Sequence, residues 1–537
     1  MRLVTPKEIA RADAYAVQTL GCNILDMIES AAEALFERCI AFRRVLVLCG
    51  GGNNGADGLC AAEKLARYGV SVSVWLFAFG GENTINENCC FFEKQLCTAG
   101  IPVRRVTGSR AFTEEIKSDL AAELSQSGAV LECLLGTGFD PSRKRSTDSA
   151  LASLIQTVNR HAPYIISADI AAGVDGATGE AIPESIAANE TVTFGFPKVG
   201  NVVLPGKAHC GKLSVKPVAV PEEAYRAVSE GNRTFLSRAD AEEAAMLLPK
   251  RNPYGHKGTF GKILILAGSE GMTGAAMLCA RACLKSGAGL VYLAAPRGLL
   301  PVYEVLLPQV VKIPLGDTSD LWLKEEHTER LLTLSCEMDA VLAGPGLGRR
   351  EETVQAIFSF LLKTPCGRLL LDADALRALT GKEAVFSSVF SEKQVVLTPH
   401  EGELAALLGE ESVSSVSKSR LRSAAACAEK YGSIVVCKGN DTIVYQSDVC
   451  FTVNGTGNNG MAAGGSGDVL GGVIAALLAG CGNAYDAARL GVYLHGLAGD
   501  FAAEALTQYC MTAEDIIANL PGAFGTLVHT PQKGGRQ

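Results

Sequence analysis

The glycine-rich run Gly455-Thr-Gly-Asn-Asn-Gly-Met-Ala-Ala-Gly-Gly-Ser-Gly-Asp468 passes directly into the apolar segment Val469-Leu-Gly-Gly-Val-Ile-Ala-Ala-Leu-Leu478. Glycines 464, 465 and 467 let backbone N–H groups converge where a helix begins, with the helix dipole behind them, which makes an anion cradle. Asp468 is the unusual member. A carboxylate at a helix start often does no more than complement the dipole. Beside an anion cradle it has a use: it can take the proton of a hydroxyl while the loop holds a phosphoryl group in transit. A second loop, Cys49-Gly-Gly-Gly-Asn-Asn-Gly-Ala-Asp-Gly58, contains GxGxxG at 50, 52 and 55 between an expected strand and helix. The acidic residue that dinucleotide binding needs ~20 residues on, at the end of the next strand, is missing from VSVSVWLFAF, which disfavours ordinary coenzyme binding for hydride transfer. Residues 206–212, GKAHCGK, fit GxxxxGK, but Leu213 replaces the required Ser/Thr and a strand is expected next, so this is not a phosphate loop.

The elements that must position these loops read as repeated strand–loop–helix units, the pattern of parallel α/β folds. In the first half, strands are expected at Arg44–Cys49, Val70–Phe77, Ala129–Leu135, Tyr164–Ala168, Thr191–Phe196 and Lys212–Pro217. The second half restarts with a helix at Arg238–Leu248. Strands then follow at Lys262–Ala267, Leu290–Ala294, Ala340–Ala343, Arg368–Leu371, Gln394–Leu397, Ser433–Cys437 and Thr442–Tyr445. Several of these end in small or polar loops (AGSEGMTGAA, AGPGLG, LDADAL, TPHEGE, CKGNDT), and open α/β sheets bind ligands at the carboxyl ends of their strands. Residues 218–234 have no strong period and read as a linker, which divides the chain into domains 1–222 and 235–522. The stretch after Pro521 reads as a polar, frayed tail.

Composition bounds the partners. Of 537 residues, 48% are hydrophobic and 20% charged, which excludes disorder for the bulk of the chain. Lys+Arg 49 against Asp+Glu 57 gives 49 − 57 = −8 with no basic run, which argues against nucleic acid. The 18 cysteines form no CxxC pair and no Cys/His cluster at zinc spacing, so a reducing cytoplasm is expected. The N-terminus lacks the apolar segment of a signal peptide, and apolar stretches such as Gly472–Gly480 fall short of the ~20 residues that span a bilayer.

The Asp468 loop resembles the GxGD anion-hole motif of the ribokinase-like fold. With it, AGSEGMTGAAMLCARACLKSGAGLV (267–291), AGPGLG (343–348), LDADAL (371–376), TPHEGEL (398–404) and KGNDTIV (438–444) occur in order. Together they resemble the ADP-dependent NAD(P)H-hydrate dehydratase family over about residues 238–520. The resemblance implies phosphorylation of the hydroxyl of hydrated NAD(P)H (NAD(P)HX) at the expense of ADP with Mg²⁺, then elimination to NAD(P)H, AMP and phosphate. Asp468 would be the base and Gly467 part of the anion hole. Lys438, Gly439, Asn440, Asp441 and Thr442 would hold the adenine nucleotide, and Ala275, Gly346 and His400 the hydrated dinucleotide. Glu403 is either a water-mediated Mg²⁺ partner or a helix-start carboxylate. His256-Lys257-Gly258 is either a phosphate-facing loop or a solvated turn.

Residues 1–220 resemble the NAD(P)HX epimerase domain, through the 49–58 loop, Leu134-Leu-Gly-Thr-Gly138, Asp169-Ile-Ala-Ala-Gly-Val-Asp175 and Thr193-Phe-Gly-Phe-Pro-Lys198. This implies a Rossmann-like αβα domain that interconverts the R and S hydrates, and homo-oligomers by analogy. Asn53, Asn54, Gly55, Ala56, Asp57, Gly136, Thr137, Gly138 and Asp169 would line that site, with Asp169 as acid/base and Lys198 a weaker candidate. The pattern is altered in places. Ala56 stands for a Gly, Glu132 for an Asp that supports a potassium ion, Ala171-Ala172 for Pro-Ser, and Ile28-Glu29-Ser30-Ala31 for a MENA-like segment. A K⁺ site drawn from Asn54, Glu132 and Ala172 is therefore expected to be weakened. The rival readings are a small-molecule kinase of the ribokinase-like class with a degenerate N-domain, and a nucleotide-binding sensor.

Overall fold

The computed structural model describes residues 1–141, 148–229 and 231–530. It forms two α/β units, Arg2–Gly231 and Asn232 onward, with Met1 grouped in the second. In the first, β1 (Arg44–Gly50), β2 (Ser71–Ala78), β3 (Val103–Thr107), β4 (Ala129–Cys133), β5 (Ile165–Ala168), β6 (Glu190–Phe194) and β7 (Lys212–Lys216) make one sheet in the order β3-β2-β1-β4-β5-β6-β7. All its pairings are parallel. The central strand shows why: Val45, Val47 and Cys49 pack into the core on one face, Leu46 and Leu48 into the core on the other. Period-2 alternation with both faces apolar demands helices on both sides. The order reverses between β1 and β4, and the 50–52 loop leaves β1 at that crevice.

The second unit contains β8 (Asn232–Leu236), β9 (Lys262–Leu266), β10 (Leu290–Pro296), β11 (Val311–Leu315), β12 (Ala340–Ala343) and β13 (Arg368–Leu371). It continues with β14 (Gln394–Leu397), β15 (Ile434–Cys437), β16 (Ile443–Ser447) and β17 (Cys450–Asn454). Their order is β11-β10-β9-β12-β13-β14-β15-β16-β17-β8, with β16 antiparallel to both of its neighbours. The reversal here lies between β9 and β12. Helix Ser466–Gly480 is apolar on nearly every side and packs with Thr273–Lys285, Ala484–Cys510 and Ala513–His529 in one core.

The α/β class and the parallel sheets are as expected. Several local expectations are corrected. Residues 218–234 are not a plain linker: Glu222–Ala227 is a helix, and β8 is an edge strand against β17. The expected helix at 238–248 shrinks to Ala241–Met246 after a short 3₁₀ turn. The chain does not fray at Pro521. Helix Ala513–His529 runs through it, because Ile516, Ile517, Leu520, Ala523 and Leu527 form a buried stripe at helical spacing. No helix among the described residues is long and apolar enough to cross a membrane.

Candidate active site

In the second unit the 454–465 loop delivers its chain to helix Ser466–Gly480 through Gly465, which sits at φ +91°, where a side chain would be strained and would also strike Leu278. Asp468 therefore lies in the first turn. Its carboxylate makes no hydrogen bond among the described residues, and burial pushes its pKa up to about 6, Asp372 and Asp374 adding repulsion and Lys438 opposing. Lys438 follows β15, and its Nζ donates to Asp372 Oδ1 at 2.7 Å and lies 3.7 Å from Glu403 Oε2. Burial works against the lysine's charge, but Asp372 and Glu403 hold its pKa above the ordinary value. Asp372 follows β13 and is 1% exposed, and the Lys438 ammonium is the partner that compensates its burial.

Beside this group a cavity of about 660 Å³ is walled by Lys438, Gly439, Asn440, Thr442, Ser466 and Gly467 among others, a volume suited to a mononucleotide. The 439–442 turn is closed by Thr442 Oγ1 donating to Gly439 O at 2.9 Å. Asp441, expected on the same wall, is fully buried behind it, and its backbone carbonyl accepts from Arg420 at 3.2 Å. His400 reaches the cavity rim but is exposed. Its Nδ1 accepts from the N–H groups of Gly402 and Glu403, so it caps helix Glu401–Leu408. Glu403 completes that capping box by accepting from His400 N–H at 2.9 Å. Residues 256–258 form an exposed turn in which Gly258 N–H donates to His256 Nδ1. At the β9/β12 reversal Gly346, at φ +62°, lies against Ala275, and Ser269 Oγ donates to Gly346 O at 2.9 Å. Asp374 accepts from Gly348 N–H at 2.9 Å and so ties that loop to the carboxylate group.

His495 lies in no motif of the sequence. It sits on helix Ala484–Cys510, lines the cavity, and lies 3.4 Å from Ser466 Oγ. Burial drives its pKa down to about 4, so it is neutral at pH 7 and serves as a hydrogen-bonding group. One cluster among the described residues, Asp320, Glu326 and His327, has metal-ligand spacing. There His327 Nδ1 accepts from Lys324 N–H, which leaves the proton on Nε2 facing Asp320, and Lys324 pairs with Asp320. With no free imidazole lone pair, and with Asp320 paired to Lys324, the cluster is a structural ion network around an exposed Glu326.

In the first unit, Gly55, in the first turn of helix Asn53–Arg67, lies so close to Gly50 that a Cβ would collide with the Gly50 carbonyl. Asn54 Nδ2 donates to Leu135 O at 2.7 Å and Ala168 O at 3.3 Å, which pins the loops after β4 and β5, while its Oδ1 is buried with no partner. Asn53 Oδ1 instead accepts from Asn86 and Asn88. Gly136 abuts Asn54, Thr137 is half-buried, and Gly138 is exposed. Ala56 is fully buried without disturbing the helix.

Asp169 adopts φ +67°, a costly backbone conformation for a non-glycine residue, and pairs with Lys198, which is 1% exposed. Lys198 Nζ also donates to Thr193 Oγ1 at 3.0 Å and Phe194 O at 3.1 Å. Two further carboxyls feel this pair. Burial, Asp169 and Asp13 hold Asp57 well above the usual carboxylate range, and burial pushes Asp13 up to about 6, with Lys198 opposing and Asp169 adding. Asp13 comes from the first helix, Pro6–Gln18, and nothing in its surroundings in the sequence marks it.

In the expected K⁺ donor set Asn54 keeps a free oxygen, but Glu132 and Ala172 are bonded to each other. Glu132 is fully buried, with Oε1 accepting from Leu134 N–H at 2.9 Å and Oε2 from Ser167 Oγ at 2.8 Å and Ala172 N–H at 3.3 Å. Ala172 thus turns a donor, not an oxygen, toward the carboxylate that was to hold the ion.

Both units have counterparts among known proteins. Residues 263–522 match the family described as NAD(P)H-hydrate dehydratase, and residues 19–200 match the YjeF-related protein N-terminus family. The bifunctional NAD(P)H-hydrate repair enzyme of Thermofilum pendens is 36% identical over 98% of this chain and 97% of its own. That of Escherichia coli is 32% identical over 96% of this chain and 92% of its own. Among solved structures, the ADP/ATP-dependent NAD(P)H-hydrate dehydratase of Bacillus subtilis, co-crystallized with ATP and Mg²⁺, is 28% identical with a TM-score of 0.44. It covers 53% of this chain and 97% of that one. With matches spanning both units and nearly the whole length of its relatives, the chain belongs to the family of bifunctional NAD(P)H-hydrate repair enzymes.

Proposed function

We propose that the second unit dehydrates (S)-NAD(P)HX at the expense of ADP and that the first interconverts the R and S hydrates. The observation that carries the dehydratase is Asp468, a carboxylate without a hydrogen bond in the field of both Lys438, on the cavity wall, and Asp374, bonded to the 344–348 loop. Lys438, Gly439, Asn440 and Thr442 hold the nucleotide, with Asp441 supporting the turn from behind. Ala275, Gly346 and His400 border the hydrated ring. Asp468 takes the hydroxyl proton as the oxygen forms its bond to the β-phosphorus of ADP and AMP leaves, with Gly467 and its neighbours facing the phosphoryl oxygens. Phosphate, a far better leaving group than hydroxide, then departs with the C–O electrons as the ring regains its double bond and loses a proton. Mg²⁺ arriving with the nucleotide would supply charge neutralisation, and Glu403, whose Oε2 lies 3.7 Å from Lys438 Nζ on the cavity wall, would hold its water shell.

This reading differs from a kinase in its products. With (S)-NADHX and ADP, AMP and free phosphate are expected to form one for one with NADH. A stable phosphorylated dinucleotide would favour the kinase instead.

For the epimerase, inversion at the hydroxyl-bearing carbon needs an acid and a base near one another at neutral pH. Asp169, paired with Lys198, and Asp13, poised near pH 6, supply them. Asp169→Asn is expected to slow R-to-S conversion by about 10²-fold or more while the dehydratase stays intact, read by chromatography of the epimers without nucleotide. Because Glu132 is already bonded to three donors, exchanging K⁺ for Na⁺ should leave that rate unchanged. A steep K⁺ dependence would contradict this arrangement. A reducing cytoplasm suits the chain, whose cysteines are free thiols.

A further inference from the structure

A second cavity of about 630 Å³ lies at the other end of the dehydratase unit. Its walls come from the places where helices Thr273–Lys285, Ser466–Gly480 and Ala513–His529 end and where the chain enters β9. Helix Ser466–Gly480 carries Asp468 at its start and Gly480 on this wall, so the two sites stand roughly 18 Å apart at 1.5 Å per residue.

The interior is apolar, built from Leu248, Phe260, Leu477, Phe524 and Leu527, and its polar rim carries Lys250, Arg251 and Lys285 with no acidic residue among the described lining residues. In a chain of net charge −8, an all-cationic rim is unusual. Part of that charge serves the fold. Arg251 donates to Gly287 O at the end of the first of these helices and lies 4.3 Å over the Phe260 ring. Lys250 and Lys285 serve no such end: both are exposed and take part in no hydrogen bond or ion pair among the described residues. Ser286 is an independent sign. It lines the cavity, is 7% exposed, and its Oγ is buried without a hydrogen-bond partner. A buried hydroxyl left unsatisfied is destabilising, and an acceptor seated in the cavity removes that cost.

We propose that this cavity binds an anionic amphiphile, a molecule whose apolar body lies among Leu477, Phe524 and Leu527 and whose carboxylate or phosphate head takes the Ser286 hydroxyl and the charges of Lys250, Arg251 and Lys285. The apolar depth selects against free phosphate or nucleotide, and the cationic rim selects against neutral or cationic lipids. Fatty carboxylates and alkyl phosphates share this chemistry, and the experiment separates them.

The full-length protein, with its nucleotide cavity saturated by AMP, is titrated with the fluorescent anion 1-anilinonaphthalene-8-sulfonate. Dodecanoate, dodecyl phosphate, dodecanol and dodecyltrimethylammonium are then added as competitors. Displacement by one or both anions at micromolar concentration, and at least tenfold weaker displacement by the alcohol and the cation, is expected. Whichever anion competes better identifies the head group. The exposed-site variant Lys250→Glu/Lys285→Glu should weaken the better anion at least tenfold with unchanged circular dichroism, and Ser286→Ala should weaken it severalfold. Displacement indifferent to head-group charge, or affinity unchanged in both variants, would overturn the proposal.

Discussion

Replacing Asp468 by Asn is expected to lower ADP-dependent recovery of NADH by about 10²–10⁴-fold while nucleotide still binds, because the amide keeps the shape of the first helical turn but cannot take a proton. The wild-type pH profile carries the same signature. Burial, with Asp372 and Asp374 adding, raises the Asp468 pKa to about 6, so kcat/KM should climb as pH rises through 6 and level off above 7. The stability consequence has a definite sign. A carboxyl whose folded pKa is raised above its unfolded value of 3.8 favours the fold only while protonated, and that favour is lost as pH rises through about 6. Asp468→Asn should therefore melt higher than wild type at pH 8, with the difference vanishing below about pH 4. A variant that is both less active and no more stable at pH 8 would show that the carboxylate is held by partners rather than merely buried. Either measurement needs only thermal unfolding and an absorbance assay.

Lys438→Met should produce the second large effect. It removes the ammonium from Asp372, leaving a carboxylate that is 1% exposed without its 2.7 Å partner. Breaking a buried pair by deleting one member costs about 3–5 kcal/mol, so the urea transition of the dehydratase unit should fall markedly. The double variant Lys438→Met/Asp372→Asn should recover most of that stability, since it removes the stranded charge as well. Activity should stay lost, because the lysine also lines the nucleotide cavity. Recovery of activity along with stability would assign Lys438 a purely structural role.

The parts of this molecule that could be read in the sequence are those with a local physical cause. Strands β9, β12, β13, β14 and β15 are buried apolar runs, and each ends in a polar loop, so both the sheet and its functional edge were visible. The missed strands are mostly edges and neighbours of edges. β3 reads VRRVT, β11 reads VKIPL, and β8 lies in a stretch whose charges and glycine resemble a linker; their alternation is masked because one side meets solvent. Pro521 suggested a stop, yet the buried stripe around it outweighs one lost hydrogen bond.

In the sites, Asp468 and Lys438 were marked by their own motifs, whereas their coupling through Asp372 joins residues 66 apart and follows from the packing of β13 near β15. His495 is one imidazole in a 27-residue helix and carries no local signal. Asp13 acquires meaning only when its helix meets Lys198 and Asp169, far along the chain. The Glu132 substitution was legible as a change, but its extra methylene placing the carboxylate against the Leu134 and Ala172 amides was not.

The central claim, that one chain carries both repair steps, is tested most directly by giving the purified full-length protein a mixed R and S NADHX pool with Mg²⁺, K⁺ and ADP. Absorbance of the reduced nicotinamide and chromatography of the two epimers are followed together. Consumption of both epimers faster than they interconvert spontaneously, with AMP equal to the NADH recovered, is the predicted result. No recovery of NADH with either ADP or ATP would contradict the account, and consumption of the S form alone would confine it to the dehydratase unit.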